Sequence, residues 1–153
     1  MKLNRRIVVG VLSLSVAAAA ALTVHAQVKR PYRDGTVWNV SFIRMKPGMD
    51  TAYLNYIASD WKRNQEAAKK EGLIVSYKVL VTEAHNPNDW NIMLMTEMKD
   101  MASMEANQDK ADALSQKMVG DDTKQMQGYK DRSEIREIMG DRLAREVVLD
   151  PKP

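Results

Sequence analysis

Thr36-Val37-Trp38-Asn39-Val40-Ser41-Phe42-Ile43-Arg44-Met45 is rich in β-branched and aromatic residues and runs directly into Lys46-Pro47-Gly48, a turn signal. The stretch therefore reads as a strand. Its alternation assigns Trp38, Val40 and Phe42 to one face, and Val37, Asn39, Ser41 and Ile43 to the other. The period then changes. From Met49 to Glu71, Tyr53, Tyr56, Ile57, Trp61 and Ala68 recur at helical spacing, while Asp60, Lys62, Arg63, Glu66, Lys69 and Lys70 fall mostly outside that stripe. Asp50 is the expected N-cap and Gly72 the expected stop.

Two further strands follow. In Leu73 to Ala84, Leu73, Val75, Tyr77, Val79 and Val81 alternate with Ser76, Lys78 and Thr82, although Ile74 and Leu80 interrupt the polar face. His85 to Asp89 is a turn. Trp90 to Met98 is apolar on both faces, which places it centrally in the sheet. Asp100 is expected to cap a second helix to Val119, with Met104, Ala111, Leu114 and Met118 on one stripe and Gly120 as its stop. After a polar stretch, Ser133 to Met139 reads as a short helix ended by Gly140, and Asp141 to Leu149 as the last strand. Ile135, Ile138, Met139, Leu143 and Val147 also fit one continuous helix. Glycine inside that helix costs about 1 kcal/mol relative to alanine, which favours the break.

The order β-α-β-β-α-(α)-β is the split pattern of a ferredoxin-like α+β layer, with four antiparallel strands and two main helices on one face. This order, the element lengths and the segment Trp38 to Met45 before Lys46-Pro47-Gly48 resemble the dimeric α+β barrel superfamily over residues 36–149. That superfamily includes antibiotic-biosynthesis-type monooxygenases, stress-responsive barrel proteins and exported bacterial proteins. The resemblance implies a homodimer whose two sheets face each other. The residues agree: the sheet face away from the helices also carries apolar side chains, drawn from Ile43, Met93, Met95, Ile74 and Leu80 or their opposite-parity neighbours. An exposed apolar face of that size calls for a partner.

Upstream, Lys2, Arg5 and Arg6 precede an apolar run from Ile7 to Val24, and Val24-His25-Ala26 offers small or apolar residues at the positions a signal peptidase reads. Cleavage after Ala26 and a periplasmic or secreted location are the expectation. The alternative is an uncleaved anchor, since about 18 apolar residues can just span a bilayer. Residues 27–35 then form a polar lead-in, 36–149 the domain and 150–153 a tail. The chain holds 23 basic and 20 acidic side chains, and the leader takes three of the basic ones, leaving 20 of each sign. A neutral domain has no electrostatic footprint for nucleic acid or for an anionic membrane. With no cysteine, disulfides, thiol catalysis and cysteine-based metal sites are excluded.

No catalytic motif assembles, so a non-enzymatic reading without a cofactor is preferred: an exported dimer that binds a small apolar ligand or a protein partner. His85, the one histidine after the leader, is a candidate general base or ligand, although a histidine in a turn is more often simply solvated. By resemblance, Asn39 and Trp90 fit the roles of an Asn on the first strand and a Trp in monooxygenases of the superfamily, with Tyr77 added for a cofactor-independent oxygenase. Residues 100–119 lack the histidine that haem-degrading members carry there. Ser41 and Arg44 are ligand-binding candidates beside Asn39, the hydroxyl and the amide also reading as polar groups of a partly wet interior. A third alternative is Cu(I) held by Met93 and Met95, since thioethers suit that ion. Methionine also fills irregular cores at the same spacings, so no metal is the preferred reading.

Overall fold

Strands and helices alternate along the chain as β1 (Tyr32–Met45), α1 (Asp50–Tyr56), a π turn (Ile57–Trp61), α2 (Lys62–Lys70), β2 (Ser76–Val81), β3 (Ile92–Met98), α3 (Met101–Ala106), α4 (Gln108–Val119), α5 (Asp122–Ser133) and β4 (Arg136–Leu149). This computed structural model describes residues 30–149. The expected leader, residues 1–26, and the tail, residues 150–153, lie outside the described residues. The strands form one sheet in the order β2-β3-β1-β4, and every pair is antiparallel. That is the ferredoxin-like order, and the expected α+β class holds.

Register fixes which side chains share a face. Val37, Asn39, Ser41 and Ile43 stand opposite Met98, Thr96, Leu94 and Ile92 of β3. Tyr77 and Val79 of β2 continue the rows through Thr96 and Leu94. The helices cover this side. Ile43, Met45, Ile92 and Leu94 pack against Tyr53 and Ile57 to form the core, with Tyr53 1% and Ile92 0% exposed. The other side carries Trp38, Val40 and Phe42 beside Met93 and Met95, with Lys78 and Leu80 on β2. No described helix covers it. Ile43 and Ile74 do not belong to this open face. Ile43 is core, and Ile74 lines the helix side.

Several local expectations are corrected. β1 begins at Tyr32, so Tyr32 to Gly35 are strand rather than lead-in, with Tyr32, Arg33 and Asp34 paired to Leu149, Val148 and Val147 of β4. Met49, not Asp50, is the N-cap of α1, and Asp50 lies in its first turn. The polar stretch after Gly120 is helix α5, started by Asp121, whose carboxylate accepts the Lys124 amide at 3.0 Å. Ser133 to Met139 is not a helix, and residues 133–149 are neither helix plus short strand nor one helix. β4 starts at Arg136 opposite Met45, and Gly140 lies inside it beside the register shift at Phe42/Ile43. Gly72 and Gly120 end their helices at φ 72° and 116°, which side chains rarely adopt.

Candidate functional site

Short polar side chains break the apolar helix-side face of the sheet part-way along. The row Tyr77–Thr96–Asn39–Leu143 replaces the bulk found in the row Val81–Ile92–Ile43. Above it, Ala68 of α2 and Ala111 of α4 keep the helix walls thin. The result is a cavity of about 330 Å³ between sheet and helices, floored by Asn39, Thr96 and Met98 and roofed by α2 and α4. Its walls are tied together: the Thr96 hydroxyl donates to Gln65 Oε1 at 3.2 Å, and Lys110 Nζ on α4 donates to the Glu71 carbonyl at 2.6 Å. None of the residues lining it is charged. Carboxamides from Asn39, Asn64, Gln65, Asn107 and Gln108 alternate there with leucine, methionine and alanine. The Asn64 Oδ1 atom is fully buried without a hydrogen-bond donor. A buried acceptor left unpaired costs roughly 1–3 kcal/mol.

Asn64 also lies in the wall of a second opening, a cleft of about 600 Å³ between the π turn and α5. Tyr56, Arg63, Tyr129 and Arg132 line it. Next to it, Arg136 is only 8% exposed, its Nε donates to nothing, and no carboxylate lies within ion-pair distance among the described residues. Its guanidinium lies 5.9 Å from the Tyr53 ring and 5.7 Å from the Tyr129 ring. Ring faces offer a cation about 0.5–2 kcal/mol each. A buried unpaired ion costs several kcal/mol, so the rings compensate only part of it. Tyr53 is not a hidden counter-ion. Burial pushes its hydroxyl up to about 12 against the opposing pull of Arg136, so it stays neutral at physiological pH.

The residues picked from sequence are dispersed. Asn39 and Tyr77 share the helix side on either side of Thr96, but Tyr77 donates to the Glu66 carboxylate and meets Trp61 edge-on at 5.3 Å, outside the cavity. Trp90 is on the opposite, open side, against Phe42. Asn39 and Trp90 are therefore not brought together. Ser41 donates to Asp141 Oδ1 at 2.5 Å. Arg44 bonds the Pro87 carbonyl and Glu137. His85 lies exposed in its turn, its amide held by Asp89 at 3.2 Å. Met93 and Met95 are half-buried on the open face. Among the described residues no cluster of three His, Asp or Glu side chains is poised for a metal, and no helix is long and apolar enough to cross a membrane. Sequence reasoning passed over Asn64 and Arg136. Asn64 falls within a solvated-looking helix face, and Arg136 within a supposed helix.

No protein-family description and no curated protein matches the chain. Solved structures similar to it include the following three. HapK from Hahella chejuensis is 11% identical with a TM-score of 0.48, over 72% of this chain and 91% of that one. A NipSnap family protein of unknown function from Agrobacterium tumefaciens is 14% identical with a TM-score of 0.49, over 76% and 93%. A dimeric ferredoxin-like protein from an uncultured marine organism is 11% identical with a TM-score of 0.46, over 78% and 100%. The likeness is one of fold alone.

Proposed function

We propose that this chain is an exported, homodimeric binding domain that holds a small, largely apolar, uncharged molecule between its sheet and helices. The observation that carries the reading is the cavity of about 330 Å³ with no charged lining residue and five carboxamide side chains in its walls. In a chain that is 28% charged, an interior lined only by amides, hydroxyls and apolar groups suits a neutral guest. The guest's apolar body meets Met98, Leu114 and Met118, and a hydroxyl or N–H on it meets the carboxamides of the lining. Export is supported by the basic and apolar leader pattern of residues 1–26.

Dimerisation is supported by the open sheet face. Leu80 is 50% exposed there, beside half-buried Trp38, Phe42, Met93 and Met95. An apolar sheet face without a covering layer is relieved by a second copy. The oxygenase alternative would need Asn39 and Trp90 to act together across the thickness of the sheet. Native mass spectrometry of the protein purified from the envelope fraction of its own host tests the proposal. A dimer of chains starting at Gln27 and carrying a defined neutral mass is expected. An empty monomer would overturn both dimer and ligand.

A further inference from the structure

β4 is an outer strand of the sheet and pairs only with β1 among the described residues. It runs for 14 residues without a proline, where strands commonly run for about five or six. Its outward backbone groups form a long unpaired edge, which soluble proteins normally shorten or block. Leu143, Val147 and Leu149 are exposed along it. From Gly140 to Arg145 its ladder with β1 is unbroken. Asp141, Leu143 and Arg145 share the helix side there, opposite Ser41, Asn39 and Val37.

The order of charges along this edge is complementary to itself. A two-fold axis perpendicular to a sheet keeps every side chain on its own face, so two copies of β4 pair antiparallel only with the axis through a residue. An axis at Asp141, Arg142 or Arg145 sets that charge against itself, which is destabilising. An axis at Ala144 sets Leu143 against Arg145 and Val147 against Asp141. An axis at Leu143 sets leucine against leucine, Arg142 against Ala144, and Asp141 of each copy against Arg145 of the other. Asp141 accepts the Ser41 hydroxyl through Oδ1, and Arg145 pairs with Asp34 through Nη1 at 3.1 Å, so each is held in place and keeps a second oxygen or nitrogen.

We propose that β4 pairs with β4 of a second copy of this chain, antiparallel about a two-fold axis at Leu143. The inference rests on the homodimer proposed above and names the strand that joins it. The two sheets become one of eight strands, with both open sides facing the same way. Curling of that sheet turns Trp38, Phe42, Met93 and Met95 of the two copies toward each other, so edge and open face belong to one interface.

The chain has no cysteine, so an introduced thiol reports only its own position. The test is thiol oxidation of single-cysteine variants, read by non-reducing electrophoresis, beside sedimentation equilibrium of the parent. Leu143→Cys places two thiols on the axis, at a separation a disulfide can bridge. It is expected to cross-link at least about tenfold faster than Ala144→Cys or Arg145→Cys, because position 145 lies roughly 13 Å from its own copy in this register. Asp141→Cys and Arg145→Cys are each expected to stay unlinked alone and to link when produced together in one cell, which reads the register without touching Leu143. Equal rates at all positions, or Ala144→Cys faster than Leu143→Cys, would overturn the proposal. A dimeric parent whose Leu143→Cys variant does not cross-link would overturn it too and leave the homodimer standing. A monomeric parent would remove both.

Discussion

Phe42 and Trp90 meet edge to face with ring centroids 5.2 Å apart and planes at 64°, on the side of the sheet that the helices leave open. The pair anchors the end of β3 to β1 and extends an apolar surface through Met93, Met95 and Leu80. Asn39 lies on the reverse side, in the floor of the neutral cavity. The sheet thus separates two kinds of surface, one suited to another protein surface and one suited to a small molecule.

Placing a charge on the open face should dissolve the dimer without unfolding the chain. Met95→Glu is expected to give a monomer in sedimentation equilibrium, with the circular dichroism of the parent. A buried carboxylate at a dimer interface is costly, whereas the same group on a monomer's exposed sheet is solvated. A parent protein already monomeric at high concentration would contradict the interface.

Filling the cavity should expel its guest. Ala111→Phe places a ring between α2 and α4 where Ala68 and Ala111 leave space. The expected result is loss of the retained mass in native mass spectrometry, with a fold that still melts cooperatively. Retention of the same mass would show that it sits elsewhere.

Ile92 is 0% exposed and packs in the same cluster as Tyr53, Ile57 and Leu94. Ile92→Ala is expected to cost roughly 2–5 kcal/mol in urea unfolding, from lost transfer free energy and the cavity left behind. A cost below about 1 kcal/mol would mean that the core is not centred there.

Tyr53 gives an alkaline signature. Its hydroxyl is pushed up to about 12 by burial, above its ordinary value of 10.0. The folded state therefore keeps a proton that the unfolded chain has released. Its contribution to stability is complete below pH 10 and is lost as the pH rises towards 12. Tyr53→Phe should lose less stability than the parent between pH 9 and pH 11 in parallel urea titrations. Identical slopes for the two proteins would remove Tyr53 as the cause.

Asp100 gives an acid one. Its carboxyl is held below its ordinary value, first by the Ser103 amide, which donates at 2.6 Å, and then by the Ser103 hydroxyl. The folded state releases this proton more readily than the unfolded chain. The stabilisation is present above roughly pH 4 and fades as the pH falls through the lowered value. Asp100→Ala should therefore lower the thermal midpoint at pH 7, and the gap should narrow at pH 2.5. A constant gap across that range would point to helix propensity instead of capping.

Reading along the chain found strands wherever the alternation was strong. Thr36 to Met45 is inside β1, and Trp90 to Met98 contains a central β3 that is apolar on both faces as expected. It failed at the C-terminal end for two reasons. α5 buries no residue, so it has no apolar stripe to detect, and it is held by its Asp121 cap and by local pairs such as Gln127 with Asp131 at 2.7 Å. Residues 135–139 carry a helical spacing that pairing with β1 overrides, because Arg136 to Ile138 gain a ladder with Ile43 to Met45.

The candidate site was legible only at Asn39. Alternation within one strand fixes that Asn39 and Trp38 point in opposite directions, and nothing beyond neighbouring residues is needed for that. It does not fix which direction the helices cover. The sequence alone determined the parities of the first three strands, the helix stops at Gly72 and Gly120 and the order of elements up to Gly120, because each follows from local dihedral preference and period. Only the tertiary structure decided that Asn64 faces a cavity, that Asn39 and Trp90 stand on opposite sides, and that Arg136 is buried beside Tyr53 and Tyr129. Those relations join residues far apart in the chain, and they are set by how the crossing helices dock on the sheet.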